Sequence, residues 1–147
     1  MPGEGATIAL GQRFAEALPR DVGGWTVLLT GDLGSGKSTF ARALITALGH
    51  EGPVPSPTYT LVEPYALERG TVYHVDLYRV GDPGELYFLG WDDLDTGLRL
   101  VEWPDRAPGL EADADLSLKL EYAPEGRVAR ISGLSERGEE IAGRLGS

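Results

Sequence analysis

A glycine-rich run, GDLGSGKST from Gly31 to Thr39, constrains this chain more than any other stretch, because it demands a strand before it and a helix after it. The run fits G-x-x-x-x-G-K-[ST], a loop whose backbone N–H groups cradle phosphate in that setting. Both flanks are present. Trp25 to Thr30 reads as a buried strand. Phe40 to Leu48 reads as a helix, with Phe40, Leu44 and Leu48 on one face and Gly49 suited to the C-terminal cap. Gly31, Gly34 and Gly36 let the backbone turn sharply and come close to an anion, and Asp32, Leu33 and Ser35 complete the row of N–H groups at the positive end of the helix dipole. Lys37 is placed to neutralise the β- and γ-phosphates, Ser38 to ligate Mg2+, and Thr39 to add a hydroxyl in the first turn. Only Lys37 and Lys119 are lysines among 13 basic side chains, so a lysine in the loop of an arginine-biased chain points to a need for a compact ammonium there.

With 147 residues the chain is read as one domain, 1–147, with a real core. No apolar run is long enough to span a bilayer, and the N-terminus lacks the basic-then-apolar pattern of a secretion signal. A nucleotide site then implies the cytoplasm. Cysteine is absent, which excludes disulfides and thiolate zinc sites. The net charge of −10 would repel a phosphate backbone and disfavours unaided nucleic-acid binding.

Thr7 to Leu18 reads as an amphipathic helix with Leu10, Phe14 and Leu18 on one side. After the loop helix, Glu51 to Pro57 carries three prolines and is irregular. Thr60 to Tyr65, Thr71 to Tyr78 and Gly97 to Trp103 read as strands, Gly81 to Gly84 as a turn, and Glu85 to Leu94 as a short helical patch. Leu116, Leu118 and Leu120 alternate with polar residues, as does Val128 to Ile131, with Pro124-Glu125-Gly126 between: a hairpin. Ser135 to Ser147 is polar and reads as a frayed helix or tail. The expected fold is α/β, a P-loop NTPase-like three-layer α/β/α arrangement with a mixed sheet that the C-terminal antiparallel hairpin extends.

A phosphate loop alone binds; hydrolysis also needs a carboxylate for the metal shell, a group that orients the nucleophile, and a segment that feels the γ-phosphate. Asp76, near the C-terminal end of the strand HVDLYR, is the natural metal-shell acid, although Tyr73-His74-Val75 before it is less apolar than a buried strand usually is; the other reading is a capping or turn carboxylate. Glu102 ends the apolar run Leu98 to Val101 and serves either as a Mg2+ ligand or to orient the attacking water, against the plain alternative of a surface glutamate. Ser56-Pro57-Thr58-Tyr59 follows the loop helix, where a switch threonine belongs, though Ser-Pro-Thr is also an ordinary turn.

Together these segments resemble the bacterial TsaE (YjeE) family of ATPases of tRNA threonylcarbamoyladenosine biosynthesis. The matching stretches are Thr7 to Gly11, Gly31 to Phe40, Ser56 to Tyr65, His74 to Arg79 and Leu100 to Arg106, in order and suitably spaced; Asp92 to Gly97 departs from the pattern. The resemblance implies an ATPase, weak alone, that works with the TsaB and TsaD proteins and meets tRNA only through them. It implies that Lys37 contacts phosphate, that Ser38 and Glu102 serve Mg2+, that Asp76 is the strand acid, that Thr58 lies in a switch-like segment, and that Trp103 reports or relays nucleotide state. Thr7 is placed near the base or ribose, or else caps the first helix, and Arg127 either reaches the nucleotide from the hairpin or is a solvated strand-end charge. Arg79 and Arg106 are candidate arginine fingers. The competing expectations are a small-molecule kinase using the same loop, disfavoured by the acidic stretch between Gly81 and Gly97, and a binding switch without significant hydrolysis. No N-K-x-D sequence supports a GTPase.

Overall fold

The computed structural model describes residues 3–31, 36–55, 57, 61–81, 90–107, 109–123 and 126–145. In chain order the elements are α1 (Gly3–Ala17), β1 (Thr26–Gly31), α2 (Lys37–Ala47), β2 (Val62–Leu67), β3 (Gly70–Asp76), β4 (Leu98–Glu102), β5 (Leu116–Ala123), β6 (Gly126–Gly133) and α3 (Glu136–Arg144). Six strands form one mixed sheet in the order β2-β3-β4-β1-β5-β6. The four central strands β3, β4, β1 and β5 run parallel, and β2 and β6 close the two edges antiparallel. β4 is buried along its whole length and β1 along its first four residues, with apolar side chains turned to both faces, as strands covered on both sides should be.

One face of the sheet is covered by the three α-helices. Val27, Leu29, Leu100, Leu118 and Leu120 share a core there with Phe14 of α1, Phe40 and Leu44 of α2, and Ile141 of α3. Phe14 and Phe40 meet edge to face with centroids 4.9 Å apart. The opposite face carries a second core, Leu28, Val75, Leu77 and Val101, beneath Trp91, Leu94 and Leu110. The described residues over that face form short 3-10 turns at Trp91–Thr96, Pro104–Arg106 and Leu110–Asp113. No helix among the described residues is long and apolar enough to cross a membrane.

Several sequence boundaries shift. The loop helix starts at Lys37, not Phe40, because Lys37, Ser38 and Thr39 are already helical. The patch expected over Glu85 to Leu94 is, where described, a 3-10 turn that begins at Trp91. Thr7 lies inside α1, in its second turn, and is not the cap of that helix. The C-terminal stretch is no frayed tail: α3 is capped by Ser135, whose Oγ accepts from the Gly138 N–H at 3.0 Å and donates to Asp115 Oδ1 at 2.8 Å. Asp115 is 5% exposed and ties this helix to the amino end of β1. It also accepts from the Thr26 N–H at 3.0 Å and from Arg137 Nε and Nη2 at 2.8 and 3.1 Å. The Arg137 guanidinium lies over the Trp25 ring at 4.3 Å. Burial alone would push the Asp115 carboxyl up; the hydrogen bonds from Arg137, Ser135 and the Thr26 N–H, with the charge of Arg137, outweigh it and hold the group below the usual carboxylate range. Gly138 permits the docking, since a Cβ there would stand 1.7 Å from the Asp115 carbonyl oxygen.

Candidate nucleotide-binding site

The site gathers at the carboxyl ends of β1, β4 and β3, the side on which open α/β sheets hold ligands. Gly36 caps α2 in the left-handed conformation, φ 109°, and, having no side chain, offers the helix no side-chain cap. The first intrahelical bond runs from the Phe40 N–H to the Gly36 carbonyl at 2.8 Å. The N–H groups of Lys37, Ser38 and Thr39 therefore have no intrahelical acceptor, as an anion-binding helix end requires. Thr7 is fully buried and abuts this turn: a Cβ on Gly36 would lie 3.5 Å from Thr7 Cγ2. Thr7 packs against the start of α2.

Lys37 is 5% exposed. Its Nζ donates to the Gly31 carbonyl at 2.6 Å and stands 3.5 Å from the centroid of the Trp103 ring. Trp103 itself has φ 60°, an uncommon conformation for a bulky residue. The Tyr78 ring lies 4.9 Å from the Trp103 ring, and the Arg106 guanidinium lies 5.3 Å from the Tyr78 ring. Lysine, tryptophan, tyrosine and arginine thus form one continuous stack at the mouth of the strands.

Glu102 and Asp76 are register partners on β4 and β3, and Leu29 of β1 completes their row. Both acids are buried, at 3% and 4% exposure. Asp76 Oδ1 accepts from the Tyr78 N–H at 2.9 Å, so the turn role considered from sequence is real and coexists with its place at the strand end. Two buried carboxylates side by side are costly without a cation. Among the described residues no group of three or more His, Asp or Glu could hold a metal by itself. Mg2+ requires no such cage, since it is bound through one or two carboxylates, waters and substrate phosphates. The residues present fit a metal–nucleotide complex.

The remaining sequence candidates divide. Ser38 is exposed at the helix start, and Thr39 lines a groove between α1 and α2 beside Gln12 and Arg42. Arg127 pairs with Tyr122 in the β5–β6 ladder, beyond the Gly31–Leu120 pair, at the same end of the sheet. Asp32, Leu33, Gly34, Ser35 and Thr58 lie outside the described residues.

A model of the family described as "Threonylcarbamoyl adenosine biosynthesis protein TsaE" matches residues 1–130. The chain belongs to the TsaE family. A relative from Haemophilus influenzae, named tRNA threonylcarbamoyladenosine biosynthesis protein TsaE, is 37% identical over 145 residues, covering 96% of this chain and 92% of that one. One of the same name from Aquifex aeolicus is 37% identical over 123 residues, covering 82% and 84%. The crystal structure of Bacillus subtilis YdiB superposes with a TM-score of 0.74 at 27% identity, covering 99% of this chain and 90% of that one. The span matched to the TsaE family contains every candidate site residue and ends before α3.

One residue of this TsaE-family site was passed over in the sequence. His74 appeared there only as a polar interruption before Asp76. It is 2% exposed, and its Nε2 meets Glu102 Oε2 at 2.5 Å. Its Nδ1 is buried with no hydrogen-bond partner. An orphaned buried nitrogen costs about 1–3 kcal/mol. The signal was available: a histidine two residues before a strand-end acid shares its face.

Proposed function

We propose that this chain is a Mg2+-dependent ATP-binding and ATP-hydrolysing accessory protein of threonylcarbamoyladenosine (t6A) modification of tRNA. We read residues 1–147 as a single P-loop domain that acts in the cytoplasm through a TsaB–TsaD complex. The observation that carries the reading is the convergence of Lys37, at the uncapped start of α2, with the Glu102–Asp76 row at the ends of adjacent parallel strands. Membership of the TsaE family and the names of the relatives supply the pathway.

In this reading the backbone from Gly31 to Thr39 and the Lys37 ammonium bind the phosphate chain. Bound Mg2+ would supply charge neutralisation on the phosphate chain. Ser38, Asp76 and Glu102 are the side chains that would hold it, and Glu102 also stands where a water could be oriented. Thr58 belongs to the segment that orders around the γ-phosphate. Thr7 and Arg127 flank the nucleotide. Closing the stack of Trp103, Tyr78 and Arg106 over the phosphates would exclude bulk water. The net charge of −10 suits a subunit that meets tRNA only through its partners.

The test is ATP turnover by the purified protein, alone and with a TsaB–TsaD pair, with Lys37→Ala as control. Weak turnover that rises with the partners and disappears in the variant supports the reading. Turnover indifferent to partners, with phosphoryl transfer to a metabolite, would make the chain a kinase. Tight nucleotide binding with no turnover under any condition would make it a passive switch.

A further inference from the structure

His74 occupies a place that the core would fill with an aliphatic side chain. Along β1, β4 and β3 the register aligns Val27, Leu100 and His74 in one row, and Leu29, Glu102 and Asp76 in the next row toward the carboxyl ends. Val27, Leu29 and Leu100 belong to the core beneath the α-helices, so the imidazole lies on that same covered face. From its own row it reaches diagonally to the carboxylate one row on, a span that side chains of this length can bridge between neighbouring strands. Its Nε2 and Glu102 Oε2 are 2.5 Å apart. An imidazole present only to fill space gives up apolar contact for nothing. Here Nδ1 has no partner, although it is buried. The one bond that is made goes to the residue at the site.

We infer that His74 is a positioning residue for Glu102. Its Nε2–H donates to Oε2, fixes the rotation of the carboxylate about its last side-chain bond, and leaves Oε1 as the oxygen presented to the nucleotide site. The histidine contact is made to Oε2 and not to Oε1. Nothing at this depth ties the imidazole itself to the nucleotide; it acts through Glu102. The inference rests on the ATPase reading above.

The first test is steady-state kinetics with partners present. His74→Leu is expected to lower kcat about 10- to 100-fold with a smaller change in KM for ATP. His74→Gln, whose amide N–H2 comes near the place of Nε2, is expected to recover most of that loss. In a Glu102→Gln background, His74→Leu is expected to cost nothing further. A His74→Leu variant with the native kcat, a His74→Gln variant no better than His74→Leu, or a full additional loss in the Glu102→Gln background would each overturn the inference. Should His74→Leu fail to fold, judged by its melting curve, His74→Gln against His74→Asn replaces it. The asparagine amide is too short to reach Glu102, so equal rates for the two would overturn the inference.

The second test does not depend on turnover, and so separates this inference from the ATPase reading. The chain has two histidines, His50 and His74, so imidazole 15N–1H spectra assign readily. A slowly exchanging, downfield Nε2 proton on His74 that moves in Glu102→Gln supports the positioning bond even where no ATP is hydrolysed. A rapidly exchanging ring indifferent to Glu102→Gln overturns it.

Discussion

The two ends of β1 are built from the same kinds of groups and differ in how completely those groups are satisfied. At the amino end, a buried carboxylate (Asp115) meets a cation (Arg137) that lies over an indole (Trp25). At the carboxyl end, buried carboxylates (Glu102 and Asp76) gather near a cation (Lys37) that lies over another indole (Trp103). Asp115 receives hydrogen bonds on both oxygens from a backbone N–H, a hydroxyl and a guanidinium. The carboxyl end keeps an orphaned imidazole nitrogen, an uncapped helix start and a tryptophan at positive φ. Buried charge over an aromatic ring therefore does not mark a site. The carboxyl end instead leaves hydrogen-bonding capacity open, which suits a place where a ligand could take it up, although the buried Tyr65 hydroxyl on β2 shows that an open group alone does not mark a site.

The comparison breaks most sharply at Lys37. Lys37→Ala should lower kcat/KM for ATP on the order of 10²- to 10³-fold, because a preorganised charge on the phosphates is removed. The melting temperature should stay close to native. A large loss of stability with turnover intact would mean that the two ends had been assigned the wrong way round. Asp115→Ala is the mirror experiment. It strands the Thr26 N–H and removes the acceptor of Ser135 and Arg137, so urea unfolding should show a loss of roughly 2–3 kcal/mol. Arg137 is half exposed and contributes little of that. Turnover per folded molecule should not change.

Gly138→Ala forces a methyl group against the Asp115 carbonyl oxygen and should cost about 1–3 kcal/mol by the same measurement. The acid limb sharpens the picture further. The Asp115 carboxyl lies below its unfolded value of 3.8 in the folded protein, so its contribution is fully present above that pH and is lost as pH falls through the folded value. The stability gap between native protein and Asp115→Asn should be flat at neutral pH and shrink below pH 3.8. A gap that widens on acidification would contradict the assignment. The smallest effect is one of opposite sign in the same helix. Gly143 has open space where a Cβ would go, so Gly143→Ala should stabilise by about 0.5–1 kcal/mol.

Sequence reading served the carboxyl end better than the amino end, for a physical reason. The strand, loop and helix around Lys37 are contiguous, Glu102 closes an apolar run, and Asp76 stands near the carboxyl end of its strand, so local pattern places all of them at one end of the sheet. Their pairing in one register row needed only the parallel order of the strands. The alternation from Leu116 to Leu120 and from Val128 to Ile131 likewise predicts the β5–β6 hairpin, and they pair as expected. The network around Asp115 joins residues separated by 20, 22 and 89 positions, and no periodicity carries such distances. Helix α3 read as a frayed helix or a tail because its apolar face is only Ile141, Ala142 and Leu145; its seat is decided by Ser135, Arg137 and a missing Cβ at Gly138. His74 failed for the opposite reason, since reading it as a flaw in a strand hid its reach to the next row.

The Lys37 stack has a thermodynamic consequence. The ammonium is not waiting in solvent: it already holds the Gly31 carbonyl and the face of Trp103. An incoming anion therefore exchanges partners rather than adding one, and the bonds surrendered are subtracted from its affinity, tenfold for every 1.4 kcal/mol or so. The same exchange lowers the barrier to letting go, because the lysine has somewhere to return. If Lys37 binds phosphate as proposed, such a site would favour repeated loading and release over retention.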